Sequence, residues 1–237
     1  MVYTLDFDGV ICDSIHECFQ NSYDAFKLVS LDLELPSEPK VGWREKFYKH
    51  RGLVRPARNF YLLWLLIINN LELEISTVIF ETLTTEHEKI LGLFDENFMS
   101  IRSEQIKNNP DTFLLQNPLY PGVKSIWNQL PRPLYIVTAK DEGIIKLILE
   151  YNELTIDGVF GKGTGHKYQT LLKLANSHGV EMNSIYFVDD NPEFVNEAHS
   201  VGAKVALSKW GYGPYTHEDG KSLDSFEQVL GFFNNEN

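Results

Sequence analysis

Cysteine is nearly missing from this chain. Its two thiols, Cys12 and Cys18, are too few and too close in sequence for a disulfide framework. They read as reduced thiols of a reducing compartment. Long apolar runs are missing as well. The longest, Phe60 to Ile68, falls well short of the roughly 20 residues that a bilayer span needs. It fits a buried helix or a subunit contact, and no membrane partner is expected. Positive charge is scarce: 21 Lys and Arg face 33 Asp and Glu, for a net charge of −12. That balance argues against nucleic acid and anionic membranes as partners. The seven histidines show no His-x-His or His-Glu-x-x-His spacing, so zinc is not implied. No Ser-His-Asp or Cys-His arrangement can be read from spacing, and there is no internal repeat or low-complexity tract. A strand-like run starts at Val2, so the expectation is a cytoplasmic protein without a secretion signal.

What is present is ordinary globular material, with 43% apolar and 13% aromatic residues over 237 positions. That length allows one large domain, or one domain with a smaller insertion. Val2 to Leu5 is a short strand ending in Asp6, and Gly9 breaks the pattern. Ser14 is placed to cap a helix through about Val29, with Glu17 completing a capping box. The stretch from 15 to 116 reads as mostly helical. Helical spacing covers Arg44 to His50, Arg58 to Asn69, Ser76 to Leu91 and Glu96 to Lys107, punctuated by prolines.

Past Pro118 the pattern alternates between strand and helix. Strands are expected at Leu134 to Val137, Gly158 to Phe160, Ser184 to Val188 and Ala203 to Leu207. Helices are expected at Asp141 to Tyr151, His166 to His178, Glu193 to Val201 and Phe226 to Phe232. With the first strand this makes a five-stranded parallel α/β sheet, which needs helices on both faces. The first strand has no helix returning straight to the second. Residues 1–14 and 117–237 therefore form the expected core, and 15–116 an inserted helical domain.

Ligands of open parallel sheets bind beyond the carboxyl ends of the strands. The residues there are Asp6 and Asp8 after the first strand, Thr138 and Ala139 after the second, and Asp189 and Asp190 after the fourth. Lys167 opens the helix after the third. If these ends share one edge, four carboxylates, one hydroxyl and one ammonium converge. Two like charges about 4 Å apart repel by roughly 4 kcal/mol at an effective dielectric of about 20. A hard divalent cation relieves this, and Mg2+ suits a few carboxylates with a phosphate. Carboxylates beside a free ammonium point to phosphoryl chemistry, in which a carboxylate attacks phosphorus and forms an acyl phosphate.

These residues, in this order, resemble the haloacid dehalogenase superfamily of phosphatases. The family pattern is a hydrophobic strand then Asp-x-Asp-Gly, a strand then Thr or Ser, a Lys, and a strand then paired acids. Leu119-Tyr120-Pro121-Gly122-Val123 and Lys209-Trp210-Gly211-Tyr212 look like the branch of phosphoglycolate phosphatase and β-phosphoglucomutase. The resemblance implies a Rossmann-like core with a helical cap that closes over the site. It implies Asp6 as nucleophile and Mg2+ ligand, with Asp8 as general acid/base and a Mg2+ ligand through its backbone carbonyl. Thr138 and the Ala139 amide would hold phosphoryl oxygens, and Lys167 would bridge phosphate and Asp6. Asp190 would bind Mg2+ directly, and Asp189 through water or beside it. The second acid, Asp8, favours phosphate esters over haloacids and phosphonates.

The family lysine is often followed by Pro, whereas Tyr168 follows Lys167, and Lys162 is a rival for the role. Arg44, Lys46, Lys49, Arg51, Arg55 and Arg58 stand against Glu45 alone in their stretch. They read as a solvated helix face, or as recognition of a second anionic group on the substrate by Arg44, Arg51, Arg55 and Arg58. His166 reads as a helix-start residue. Trp210, Tyr212 and Tyr215 are expected to pack over a loop. The expected function is Mg2+-dependent hydrolysis of a small phosphorylated metabolite by a monomer or homodimer. The alternatives are a phosphomutase and a non-catalytic Mg2+-binding regulatory or scaffold protein.

Overall fold

A computed structural model describes residues 1–71, 77–213 and 221–234. It divides into two compact units: Met1–Asp13 with Pro118–Asn237, and Ser14–Asn117.

The first unit is built on one parallel sheet. Its strands are β1 (Val2–Leu5), β2 (Leu134–Val137), β3 (Gly158–Phe160), β4 (Ile185–Asp189), β5 (Lys204–Ser208) and β6 (Lys221–Leu223), in the order β3-β2-β1-β4-β5-β6. Six strands stand where five were expected. The sixth, Lys-Ser-Leu, has no apolar run to announce it. It is defined by pairing with β5, which sets Ser208 opposite Leu223. Every residue of β1 is buried, as a strand covered on both faces must be. Its threonine hydroxyl is satisfied, with Thr4 Oγ1 donating to Tyr186 O at 2.7 Å.

One face of the sheet packs Val137, Phe187 and Val205 against Leu171, Leu174, Val195 and Ala198. Those partners lie on two helices, Lys167–His178 and Pro192–Ser200. The opposite face carries an aromatic group of Tyr3, Tyr186 and Phe233, with ring centroids 4.9 to 6.0 Å apart. Caps set the helix starts. Asp141 accepts from the Gly143 and Ile144 amides to open Glu142–Tyr151, and Asn191 accepts from the Glu193 amide ahead of Pro192. The chain runs outward from β1 to β2 and β3, then crosses back to β4 on the other flank. The strand order reverses at β1, where such sheets open a crevice.

The second unit is helical: α1 (Ile15–Val29), α2 (Trp43–His50), α3 (Phe60–Ile68), α4 (Thr77–Glu86), α5 (Glu88–Asn108) and α6 (Pro110–Leu115). The expected helix from Ser76 to Leu91 ends earlier, and a break at His87 hands over to α5; Ser76 itself lies outside the described residues. The expected capping box is also absent. Ser14 makes no side-chain capping bond, and Glu17 turns inward to Arg102, with two contacts of 2.8 Å. The apolar run of α3 is core: Leu62, Leu63, Trp64 and Ile67 have no exposure. Trp64 packs against Phe19, Tyr23, Trp43 and Phe47. Its indole N–H reaches Ser22 Oγ at 2.8 Å, so the ring is buried without leaving a donor unpaired.

Candidate active site

Strand register assembles the site. Leu5 lies opposite Val188 on one side and Ile136 on the other. Asp6 and Asp189 are therefore the next residues on adjacent strands, and Thr138 follows one step further along β2. Gly9 turns the chain away after Asp8 with φ of +84°, a conformation that a side chain resists. A Cβ at Gly9 would also collide with the Asp190 carboxylate. Asp190 is clasped from the other side. Tyr212 N donates to its Oδ2 at 2.7 Å, and a Cβ at Gly211 would strike Asp190 Cβ and Gly9 O. Trp210 Nε1 donates to Val10 O at 2.9 Å, joining this loop to the turn after β1.

Among the described residues, Asp6, Asp189 and Asp190 each offer a carboxylate oxygen within 4.8 Å of the others, and all three are buried. Lys167, the first residue of its helix, reaches into the group. Its Nζ lies 2.7 Å from Asp189 Oδ2 and 3.0 Å from Asp6 Oδ1. Burial alone would lower the Lys167 ammonium, but Asp189 and Asp6 outweigh it and hold it above the ordinary lysine range. Burial pushes the Asp189 carboxyl well up; Lys167 pulls it back, while Asp6 and Asp190 push it further. One buried ammonium thus does not offset three buried carboxylates. Asp6 Oδ1 shows the same shortfall: it touches Lys167 as an ion pair but accepts no hydrogen bond. The donor set is all oxygen, compact and short of positive charge, which fits a hard divalent cation such as Mg2+.

The fourth acid stands apart from this set. Asp8 Oδ1 accepts from Lys140 Nζ at 2.8 Å. The site therefore contains two ammonium groups where one was expected. Thr138 is buried at the end of β2, and Ala139 beside it is exposed. Thr138 N donates to Phe160 O at 2.9 Å, and Thr138 Oγ1 accepts from Lys140 N at 3.4 Å. Lys162 is exposed, and its backbone N–H donates to Lys140 O. His166 sits at the helix start without a side-chain capping bond.

Sequence reasoning overlooked Lys140 and the Tyr212 amide. Lys140 stands two residues after Thr138 at the same strand end, and that position was the available signal. Tyr215 lies outside the described residues.

The arginines between 44 and 58 belong to the helical unit, where several have local partners. Arg44 lies over the Phe19 ring at 5.3 Å and Arg51 over Phe60 at 4.9 Å. Arg51 Nη1 also donates to Val54 O at 2.9 Å, Arg58 pairs with Glu88 at 3.0 Å, and Arg55 is half-buried.

No protein-family model matches the chain. One curated relative, Enolase-phosphatase E1 of Persephonella marina, is 32% identical over 112 residues. That match covers 44% of this chain and 49% of the relative, so it spans about half the relative's length. Solved structures match nearly end to end. A predicted phosphoglycolate phosphatase from Haemophilus somnus has a TM-score of 0.68 at 20% identity, covering 97% of this chain and 96% of that one. A predicted phosphatase from Clostridium acetobutylicum has a TM-score of 0.67 at 15% identity, covering 99% and 98%. A β-phosphoglucomutase from Clostridium difficile has a TM-score of 0.54 at 16% identity, covering 99% and 97%. The fold is the one these proteins share, and the expected Rossmann-like α/β architecture with a helical unit holds. Among the described residues, no helix is long and apolar enough to cross a membrane.

Proposed function

We propose that this chain is a Mg2+-dependent phosphatase of the haloacid dehalogenase type, hydrolysing a small phosphate monoester through a covalent aspartyl-phosphate on Asp6. The observation that carries this reading is Asp6 itself. It is a buried carboxylate with one oxygen 3.0 Å from an ammonium, in a group of three buried acids that this one ammonium only partly offsets. Asp6, Asp190 and the Asp8 backbone carbonyl would hold the ion, with Asp189 beside them. When bound, Mg2+ supplies positive charge to the phosphoryl oxygens.

In this reading Asp6 attacks phosphorus while Asp8 gives its proton to the departing oxygen. The P–O ester bond breaks as the Asp6 O–P bond forms. Asp8, now a carboxylate, takes a proton from water, and the resulting attack on phosphorus frees Asp6. Thr138 and the Ala139 amide hold phosphoryl oxygens. Lys167 offsets the repulsion between the Asp6 carboxylate and the phosphate dianion.

The names of the structural neighbours agree with this chemistry, and so does that of the curated relative. A phosphomutase would use the same residues, and a β-phosphoglucomutase shares the fold. The test is Mg2+-dependent phosphate release from 4-nitrophenyl phosphate and from a panel of sugar phosphates, phosphoglycolate and nucleotides. Release that disappears in Asp6→Asn supports the proposal. Isomer interconversion without release points to the mutase. No turnover by a folded protein leaves a Mg2+-binding scaffold.

A further inference from the structure

We infer that Lys140 is the positioning residue for Asp8, the group that moves the proton in the reaction proposed above; the inference rests on that reading. Lys140 Nζ donates to Asp8 Oδ1 at 2.8 Å, across 132 residues of sequence. The lysine side chain is only 2% exposed, against 20% for Asp8. An ammonium taken out of water is costly unless an anion and good geometry compensate it. Asp8 supplies the anion, and the Phe7 ring, 5.6 Å from Nζ, adds a weaker contact. The head group is therefore held on Asp8.

The lysine backbone is held too. Lys140 N donates to Thr138 Oγ1, and Lys140 O accepts from Lys162 N at 2.9 Å. Gly161 packs so close to that carbonyl that a Cβ there would meet it at 2.6 Å. The turn after β3 thus braces the residue after β2, which in turn holds the acid after β1. Asp8 stands on a loop rather than in a strand, and this tie fixes one oxygen of its carboxyl group.

Orientation matters because of what Asp8 must do. A proton is transferred only across about 2.6–3.2 Å, and a misplacement of about 1 Å can cost about 100-fold. With Oδ1 accepting from Lys140 Nζ, Asp8 is left with its other oxygen to carry the proton to the leaving oxygen and afterwards to take one from water. Lys140 is not placed here as a phosphate ligand. That role belongs to Lys167, on the other side of Asp6, and the two ammonium groups divide the acids between them.

The test is pre-steady-state kinetics with two similar substrates, 4-nitrophenyl phosphate and phenyl phosphate. Nitrophenolate leaves without a proton. Phenolate, with a pKa near that of tyrosine at about 10, needs one. In Lys140→Met, the nitrophenolate burst should keep its rate within about threefold. Release of phenol should slow by about tenfold or more, and the aspartyl-phosphate should accumulate because its hydrolysis also uses Asp8. The substrate dissociation constants should change little, KM for 4-nitrophenyl phosphate should fall as breakdown of the aspartyl-phosphate slows, and Lys140→Arg should restore part of the phenol rate. Equal slowing of both substrates, or of neither, overturns the inference, as does a loss confined to KM. A wild-type protein with no burst and no Asp6-dependent turnover would instead bring down the underlying reading. Thermal melts of each variant check that the fold is retained.

Discussion

The buried ion pair of the helical unit gives a sharp test of how that unit is held together. Arg102 on α5 grips Glu17 on α1 with both ends of its fork, Nε to Oε1 and Nη2 to Oε2, each at 2.8 Å. The side chains are 7% and 0% exposed. Asn21 Nδ2 adds a bond to Oε1 at 2.7 Å, and the Arg102 guanidinium lies 4.3 Å from the Phe98 ring centroid. Arg102→Met leaves a fully buried carboxylate that keeps Asn21 but has lost its chief counter-charge. Such a loss costs about 3–5 kcal/mol. Glu17→Leu strands the guanidinium at a similar cost. The double variant removes both charges, and replacing a buried pair by apolar groups is often near neutral. Its loss should be about 1 kcal/mol, far below the sum of the singles. Amide hydrogen exchange in α1 and α5 reads the helical unit directly and does not require the two units to unfold together. A loss of about 3 kcal/mol appears as more than a 100-fold rise in exchange at the most protected amides. Single variants that change exchange less than about fivefold would refute the argument. So would a double variant as damaged as the two singles combined, because an additive result means the charges do not depend on one another.

Three further outcomes follow from the sheet unit. Mg2+ should raise the melting temperature of the wild type, since a ligand at about 100 times its Kd stabilises by about 2.7 kcal/mol; Asp190→Asn should lose most of that shift, and an undiminished shift would place the ion elsewhere. Gly211→Ala should weaken Mg2+ binding at least about tenfold in a calorimetric titration, because the added Cβ displaces Asp190; unchanged affinity would show that the loop yields. Asp157 accepts from Leu134 N at 2.7 Å and from Arg132 at 3.1 Å, and the backbone bond first, then Arg132, holds its carboxyl below the ordinary value. Its contribution to stability is present above the unfolded pKa of about 3.9 and is lost as pH falls through the folded value. Because the side chain is 40% exposed, Asp157→Asn should cost only about 0.5–1 kcal/mol at pH 7. Urea titrations should show that gap closing in acid, and a gap that widens there would contradict the sign.

Residues at strand ends were readable because a parallel sheet sends its polar residues to one edge. Once Val2–Leu5 and Ile185–Asp189 are strands, register alone brings Asp6 to Asp189. The helix boundaries of the alternating half were readable for a similar reason: Asp141 and Asn191 carry their capping instructions locally. What escaped is what depends on a partner far along the chain. Glu17 has the spacing of a capping box, yet Arg102, 85 residues away, offers a bidentate charged contact that a single helix turn cannot match. Strand β6 exists only because β5 presents an unpaired edge to Lys221–Leu223. Lys140 looks like any lysine after a strand until the fold buries it against Asp8. The local motif thus names the acids, while the long-range fold decides which cation attends which acid. Lys167 joins the cluster of Asp6 and Asp189, and Lys140 pairs with Asp8. On the proposed reading, the Asp8 side chain, paired with Lys140 outside the acidic cluster, serves to exchange a proton and leaves only its backbone carbonyl to the ion.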